Sequence, residues 1–462
     1  MQSFKSAFVL SALTVTICSS LLFAQTAPPA DLVVPPGPPA YVKAGPVDGS
    51  QIDPGTPVSG ITLSMPPNGA SSSAIFMNST FGRSSSSGNT MAHNPRNNTG
   101  GTIDGLTTVS TFAGAFAAQA GPFTGDVFPF VMLGNHPAAG GTTTFTTNIS
   151  EVSLTLLNAD GTVLTTVPFA PFETLTLNSP NFQDAMYSSS PSPTQFADAV
   201  QRAEFFHTLQ PGQPWHTRLS PLVVNRVNIT VPRFVNIRLG NGQIIQARSY
   251  FIGTAADGST FVLMLDLLFN FFFSNEVVNE INLGNFQTDA LNLAAFPNTF
   301  LFSLNVNSPN TPGGCCVLGF HTYFFDPTVV PQPRWLSLFA SWISPGLFGA
   351  GFQDVLALSH EISETFDNPL LFNPAPDWQF PGQPPNSTVC QNNLESGDPV
   401  EVLPNAAFPV TLRVRDKPFT YHPQNEALLQ WFEMGATSNA IGGAFSYPNT
   451  AVLPHSAVPC PQ

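Results

Sequence analysis

The sequence predicts an α+β fold that is rich in β-strands, with Pro-rich loops and few helices. Short β-prone runs separated by turn signals occupy most of the chain from residue 106 onward. Helical spacing of apolar residues is confined to three segments, at 195–209, 354–366 and 425–434. The chain also contains 46 prolines and 35 glycines among 462 residues, which favours many loops.

The β-prone runs follow one another along the chain. A turn signal at 158–161, Asn-Ala-Asp-Gly, predicts a hairpin between the runs on either side of it. The segment 261–273 is very apolar, but Asp266 and Asn270 interrupt it and it is too short to cross a bilayer, so we expect a buried strand. The predicted strands cover 61–65, 127–133, 142–147, 152–157, several runs within 222–273, and 299–306.

The first helical segment, 195–209, is amphipathic. Phe196, Val200 and Ala203 fall on one face, which leaves Arg202 and Glu204 outside. The helical segment at 425–434 is shorter, and it follows Pro-rich loops.

The helix predicted at 354–366 carries the most informative motif. Its apolar positions recur at helical spacing, and Asp-Asn-Pro at 367–369 ends it. His360 and Glu364 are four residues apart, so their side chains lie on the same side and could bind one divalent cation. This is a zincin-like motif helix, His-Glu-x-x-His, with glutamate replacing the second histidine. The alternative is a solvated helix face with a surface histidine and two surface glutamates.

A metal site needs at least one further ligand, and the best candidate is Glu395. It lies beyond a Pro/Asn-rich loop, in the run Glu-Ser-Gly-Asp at 395–398, where Gly397 would let the backbone approach closely. Asp398 is an alternative ligand, or it orients His360. A plain turn explains Glu395 and Asp398 equally well. Asp367 and His321 also remain open as third ligands, although Asp367 more simply ends the helix.

The same motif assigns catalytic roles. Glu361 could take a proton from a water bound to the cation and pass it to a leaving group. His321 and Tyr323, in an apolar strand-like run, could donate hydrogen bonds to an oxyanion, although a buried structural histidine is the usual explanation for such a residue. With one imidazole and two carboxylates as ligands, His360, Glu364 and Glu395, zinc is the expected cofactor, and oxygen-preferring ions are alternatives.

Composition restricts the possible partners and the compartment. Lys and Arg number only 14 and the net charge is −14, so neither nucleic acid nor an anionic membrane is expected as a partner. Residues 1–24 have the pattern of a secretory signal peptide, with Lys5 before an apolar run, and no membrane anchor is expected after its removal. Residues 25–105 form a Pro/Ser/Gly-rich linker or loosely ordered segment. Residues 106–310 are the β-rich part of the main domain, and 311–462 are its metal-site part.

Four cysteines remain after removal of the signal peptide, and they predict two disulfides. A bond between the neighbours Cys315 and Cys316 would be strained, so we expect each of them to pair with Cys390 or Cys460. Either pairing is consistent with an exported protein.

Five motifs follow one another along the chain: Gly-Phe-His-Thr-Tyr at 319–323, Ser-His-Glu-Ile-Ser-Glu at 359–364, Asp-Asn-Pro at 367–369, Glu-Ser-Gly-Asp at 395–398 and Leu-Gln-Trp at 429–431. This ordered series resembles the plant EXORDIUM-like (phosphate-induced) extracellular proteins, and is closer still to a group of uncharacterised secreted bacterial proteins. The resemblance covers about residues 106–460 and departs from the plant pattern at the adjacent cysteines and at Pro399. It implies an extracellular location and a ligand role for His360, Glu364 and Glu395.

The function predicted from these observations is a secreted or periplasmic metal-dependent hydrolase, a zinc metallopeptidase-like enzyme acting on extracellular peptide or cell-wall material. The first alternative is a non-catalytic extracellular or cell-wall-associated protein of the EXORDIUM-like kind, with a structural metal or an ion-pair network. A polysaccharide-binding module is a weaker third class, because it would need exposed aromatic rows and the chain has only 5 Trp and 6 Tyr.

Overall fold

The computed structural model describes residues 62–64, 109–187, 192–209, 212–326, 333–348, 351–382, 390–401, 403–435 and 438–460. Within them the fold is mixed α+β, rich in strands and with few helices, which confirms the predicted class. The expected signal peptide at 1–24 lies outside the described residues. So does the expected linker at 25–105, apart from a short strand at 62–64, where one was predicted.

The bounds of the elements are as follows. The α-helices are α1 (Ala170–Leu177), α2 (Phe196–Glu204), α3 (Asp266–Asn282), α4 (Leu356–Asp367) and α5 (Leu429–Phe432). The strands are β1 (Thr62–Ser64), β2 (Thr111–Ala117), β3 (Val127–Leu133), β4 (Gly141–Leu157), β5 (Val163–Val167), β6 (Trp215–Val231), β7 (Phe234–Arg238), β8 (Ile244–Arg248), β9 (Tyr250–Thr254), β10 (Thr260–Leu265), β11 (Leu291–Pro297), β12 (Thr299–Leu304), β13 (Pro312–Val317), β14 (Gly319–Phe325), β15 (Arg334–Trp342), β16 (Pro374–Gln379), β17 (Cys390–Asn393), β18 (Val410–Val414), β19 (Lys417–Tyr421), β20 (Glu426–Ala427) and β21 (Ser446–Tyr447).

A six-stranded sheet organises the centre of the molecule. Its strands run in the order β14-β15-β11-β4-β5, and β6 also pairs with β4 along nearly the whole of that strand. The pairs β4–β6, β4–β11 and β11–β15 are parallel, whereas β14 pairs antiparallel with β15 at the edge. The two runs predicted at 142–147 and 152–157 are one strand, β4, and the turn predicted at 158–161 joins it to β5 in a hairpin.

The sheet has helix α3 on one face and α4 on the other. Because side chains alternate along a strand, β14 contributes to both contacts. Phe320 and Phe324 pack in the apolar cluster that contains the α3 phenylalanines. Tyr323 packs in the opposite cluster, with Leu358 and Ile362 of α4. His321 shares the side of Tyr323, so the strand directs this imidazole toward α4.

The expectation of a single buried strand at 261–273 is wrong. Strand β10 ends at Leu265 and helix α3 begins at Asp266. The Asp266 carboxylate accepts the Leu267 backbone N–H at 2.6 Å, which satisfies a donor at the start of the helix. A short continuous apolar run is compatible with either a buried strand or a buried helix, so the pattern alone did not separate them. No helix among the described residues is long and apolar enough to cross a membrane.

Helix α2 lies where it was predicted, but the expectation that Glu204 lies outside is wrong. Glu204 is 3% exposed, and its Oε1 accepts the Leu429 backbone N–H at 3.0 Å. Helix α2 packs against α4, so the face that appears polar in the sequence is turned toward the second half of the chain.

The predicted disulfide pairing is also wrong. Cys390 in β17 pairs with Cys460, with their Cα atoms 6.1 Å apart. Cys390 and Cys460 were the two partners expected for Cys315 and Cys316, but they bond to each other. Cys315 pairs instead with its neighbour Cys316 in β13. The Cys390–Cys460 disulfide therefore connects the C-terminal segment to the β16–β17 hairpin. The Cys315–Cys316 disulfide lies in β13, at the edge of the four-stranded sheet.

A buried carboxyl pair on α3 should make the stability of the protein depend on pH. Burial, followed by the hydrogen bond and the charge of Glu280, raises the pKa of Glu276 to about 8. Since this pKa exceeds the ordinary value of 4.5, the folded state keeps a proton that the unfolded state loses, and stability falls as pH rises from about 4.5 to about 8. The side-chain amide of a Glu276→Gln variant can still donate a hydrogen bond to Glu280. We expect the free energy of unfolding of this variant at pH 8 to exceed that of the wild type by about 2–4 kcal/mol.

Urea unfolding at pH 5 and pH 8 measures this difference. The gain should be much smaller at pH 5, where the wild-type carboxyl is protonated in the folded state. Asp416→Asn, at an exposed position in the β18–β19 turn, is the control and should show no such trend. Equal effects of Glu276→Gln at both pH values would contradict the assignment.

Candidate metal site

Helix α4 is buried along its whole length. His360, Glu361 and Glu364 are 8%, 5% and 4% exposed, which excludes the solvated helix face considered from the sequence. The helix begins beside Asp354, whose Oδ1 accepts the Val355 backbone N–H at 2.6 Å. Its apolar residues pack under the central sheet as the spacing predicted: Val355, Leu358, Ile362 and Phe366. The polar side of α4 is therefore enclosed by other parts of the protein.

The first potential metal-binding group consists of His360, Glu364 and Asp398. The Nε2 atom of His360 lies 3.2 Å from Glu364 Oε1 and 3.7 Å from Asp398 Oδ1. One ligand atom from each residue lies within 4.8 Å of the other two, so a single cation could contact all three. The helix supplies the pair predicted from the spacing. Of the carboxylates considered as third ligands, Asp398 is the one that lies within 4.0 Å of His360 in the described part of the chain.

The second potential group consists of His321, Glu361 and Glu364. The Nδ1 atom of His321 lies 3.4 Å from Glu361 Oε2 and 3.4 Å from Glu364 Oε2. These atoms also lie within 4.8 Å of one another. His321 thus reaches the same cluster from strand β14, and Glu364 belongs to both groups.

Glu395 lies on the far side of His321. Its Oε1 accepts hydrogen bonds from the side-chain amides of Asn368 and Asn393, at 3.0 and 2.7 Å. Its Oε2 is 3.6 Å from His321 Nε2. Among the described residues neither of these two atoms has a hydrogen-bond partner. The structure therefore places Glu395 where it can orient His321, and not in either three-residue group.

Two glycines allow the cluster to close. A Cβ on Gly397 would lie 2.5 Å from His360 Nδ1, and one on Gly319 would lie 2.7 Å from Glu361 Oε1. The backbone N–H groups of Gly397 and Asp398 donate to Glu364 Oε1 at 3.1 and 3.3 Å. The close backbone approach expected at Gly397 is thus present, and it holds the 395–398 loop against α4.

Opposing charges set the protonation of the central residues. Burial lowers the pKa of His321 and of His360, but the neighbouring carboxylates outweigh burial and raise both pKa values well above 6.5. Burial raises the pKa of Glu364, yet the two imidazoles, together, hold it well below its ordinary value. Burial raises the pKa of Glu361. The ionised form of Glu364 is therefore favoured.

Further carboxyls around the site were not identified from the sequence. Burial and neighbouring charges raise the pKa of Glu401 to about 7 and that of Glu426 well above its ordinary value. Glu426 is fully buried, and neither of its carboxyl oxygens has a hydrogen-bond partner in the described part of the chain. The sequence offered one indication of them: only 9% of the residues are charged, so each acidic residue in the second half of the chain was a candidate for the site.

The remaining predicted residues have other surroundings. Asp367 ends α4, as expected, and its carboxyl contacts Ser396 and Glu204, with burial raising its pKa to about 7. The Tyr323 ring lies under the Arg334 guanidinium, 4.4 Å from its centroid, within the apolar contact between β14 and α4. Of the two proposed oxyanion donors, the structure brings His321 to the cluster and places Tyr323 in this packing.

These residues fit a divalent cation. Imidazole and carboxylate groups are ligands for zinc and also for oxygen-preferring ions such as manganese. A buried group of carboxyls with incomplete hydrogen bonding is costly without a compensating positive charge. No family model, curated protein or solved structure matches this chain, so the site is interpreted from its own geometry.

Proposed function

We propose that this protein is a secreted metal-dependent hydrolase whose cation is held by His360, Glu364 and Asp398. The observation that carries the proposal is the convergence of these three side chains from α4 and the 395–398 loop, with ligand atoms within 4.8 Å of one another. The backbone N–H groups of Gly397 and Asp398, which both donate to Glu364 Oε1, support the same arrangement.

Glu361 is the proposed general base. Its Oε1 lies 4.0 Å from His360 Nε2, beside the proposed cation position. A cation there would acidify a bound water and polarise a carbonyl group. Burial raises the pKa of Glu361, which suits a carboxylate that accepts a proton from the bound water and then releases it to the leaving group.

His321 is the proposed donor to the developing oxyanion. Its ring lies in the cluster, with Nδ1 3.4 Å from Glu361 Oε2, and an imidazole N–H can donate a hydrogen bond to negative charge. Glu395, held by two asparagine amides, faces its Nε2 atom and would fix the orientation of the ring. Tyr323 has no proposed catalytic role, given its packing beside Arg334.

The proposed substrate is an extracellular peptide or a cell-wall peptide, because a helix-borne metal pair with an adjacent glutamate base is the arrangement of zinc peptidases. Two features support the extracellular setting. The sequence pattern at 1–24 is that of a signal peptide. The Cys390–Cys460 bond is of a kind that persists mainly in oxidising compartments.

A second candidate function is a non-catalytic extracellular protein with a structural cation or an ion-pair network. The burial of the site favours this candidate, because His321, Glu361 and Glu364 are each at most 6% exposed. A structural site is closed by protein ligands, whereas a catalytic one keeps a position open to water.

Metal analysis combined with a peptide-hydrolysis assay tests the proposal. We expect the full chain to carry tightly bound divalent metal, to cleave members of a quenched fluorescent peptide library, and to lose this activity on chelation until zinc or manganese is restored. His360→Ala should lower the metal content and abolish the activity, and His216→Ala, at a partly buried histidine paired with Asp198, should change neither. Bound metal without cleavage would favour the structural cation, and absence of metal would favour the ion-pair network.

A further inference from the structure

We propose that the site holds a second divalent cation, bound by His321, Glu361 and Glu364, with Glu364 bridging the two metal positions. This inference rests on the proposed first position at His360, Glu364 and Asp398. The side chains of the second group are all buried, and one ligand atom of each lies within 4.8 Å of the others.

The two oxygens of Glu364 face different histidines. Its Oε1 is 3.2 Å from His360 Nε2, and its Oε2 is 3.4 Å from His321 Nδ1. A carboxylate that presents one oxygen to each of two imidazole-containing groups has the geometry of a bridging ligand. Two-metal hydrolytic sites place their cations about 3.5–4 Å apart, a spacing that one carboxylate can span.

The two carboxylate oxygens of Glu361 also face different histidines. Its Oε2 lies 3.4 Å from His321 Nδ1, on the side of the second position. Its Oε1 is directed toward His360, at 4.0 Å from Nε2. One oxygen can therefore contact the second cation while the other remains beside the first, where the proposed function requires a base.

The far side of His321 provides an independent indication. Its Nε2 atom and the Oε2 atom of Glu395 face each other at 3.6 Å, both buried and both without a hydrogen-bond partner among the described residues. Metal-bound histidines usually donate their other ring N–H to a carboxylate. If Nε2 carries the proton toward Glu395, the lone pair of Nδ1 points into the group formed by Glu361 and Glu364. With the second cation bound, His321 would be a ligand, and that cation would replace the imidazole N–H as the group that stabilises the oxyanion.

Charge balance also favours two cations. Six carboxyls surround the cluster: Glu361, Glu364, Glu395, Asp398, Glu401 and Glu426. In the described part of the chain, the only basic groups at ion-pair distance from any of them are His321 and His360. Once deprotonated, six carboxyls supply enough negative charge to balance two dications, and metal binding to such ligands releases their protons.

Metal stoichiometry tests this inference. The full chain is stripped with chelator, reloaded with Mn²⁺, and examined by elemental analysis and electron paramagnetic resonance. We expect two equivalents per chain and a spectrum showing magnetic coupling between neighbouring Mn²⁺ ions. His321→Ala should retain one equivalent and lose the coupling, whereas His216→Ala should keep both.

The outcomes separate the two proposals. One uncoupled equivalent in the wild type overturns the second position and leaves the proposed function intact, whereas zero equivalents overturns both. The coupling in the wild-type spectrum decides the question even where His321→Ala fails to fold, because it needs no variant. Two equivalents without coupling would place the second ion elsewhere and would also overturn the inference.

Discussion

Replacement of Glu361 by glutamine is expected to lower the hydrolytic rate by about 10²–10⁴-fold, the range typical of general acid–base catalysis. Glutamine keeps the size of the side chain and one oxygen that can contact a cation, but it cannot accept the proton of the attacking water. Glu361 Oε1 lies 4.0 Å from His360 Nε2, so Glu361 is a carboxylate beside the proposed first cation that is not one of its three ligands. The expected loss is therefore in kcat, with little change in KM.

The comparison requires equal metal content. Wild type and Glu361→Gln are loaded with the same cation, their metal is quantified, and rates are measured on one fluorescent peptide. Glu276→Gln, a change of the same kind at a buried glutamate on α3, should leave the rate unchanged. An unchanged rate in Glu361→Gln would remove Glu361 as the base. Failure of the variant to reach the wild-type metal content would show that Glu361 acts mainly as a ligand.

Local patterns were sufficient to predict much of the fold. The strand at 127–133 and the hairpin turn at 158–161 follow from alternation and turn chemistry, which act over a few residues. A strand was predicted at 261–273 because this run, apart from Asp266 and Asn270, is apolar and has too few polar residues to show a helical period. Its helix α3 depends on burial in the folded protein. The disulfide pairing depends on distances across 70 residues of sequence, which spacing alone does not contain.

The candidate site was only partly predictable for a similar reason. His360 and Glu364 meet because four residues of helix bring them together, and that geometry is local. The choice between Glu395 and Asp398 depends on the direction in which the 395–398 loop enters the cluster. The approach of Gly397 to the His360 ring turns Asp398 toward His360 and leaves Glu395 beside His321. Glu426 lies in strand β20, which carries no recognisable motif, so its position near the cluster is visible only in the folded structure.

Glu364→Gln is expected to weaken divalent-metal binding by more than about 100-fold, since loss of even an outer partner of a metal ligand typically costs 10–100-fold. Glu364 belongs to both potential metal groups, and the two adjacent imidazoles keep its pKa low, so it offers an ionised carboxylate to a cation. The glutamine oxygen can still accept the Gly397 and Asp398 N–H groups, so the loop should stay in place. Glutamine is therefore a more specific test than alanine.

Titration calorimetry with Zn²⁺ measures the affinity, and thermal unfolding with and without metal provides a second readout. A ligand at 100 times its Kd stabilises the folded state by about 2.7 kcal/mol, and this gain should disappear in Glu364→Gln. Asp398→Asn changes only one ligand of the first group and should weaken binding less. If Glu364→Gln bound metal as tightly as the wild type, the cation would have to lie outside both groups. The buried carboxyls would then be compensated by protons and the two histidines alone, which is the ion-pair network of the non-catalytic alternative.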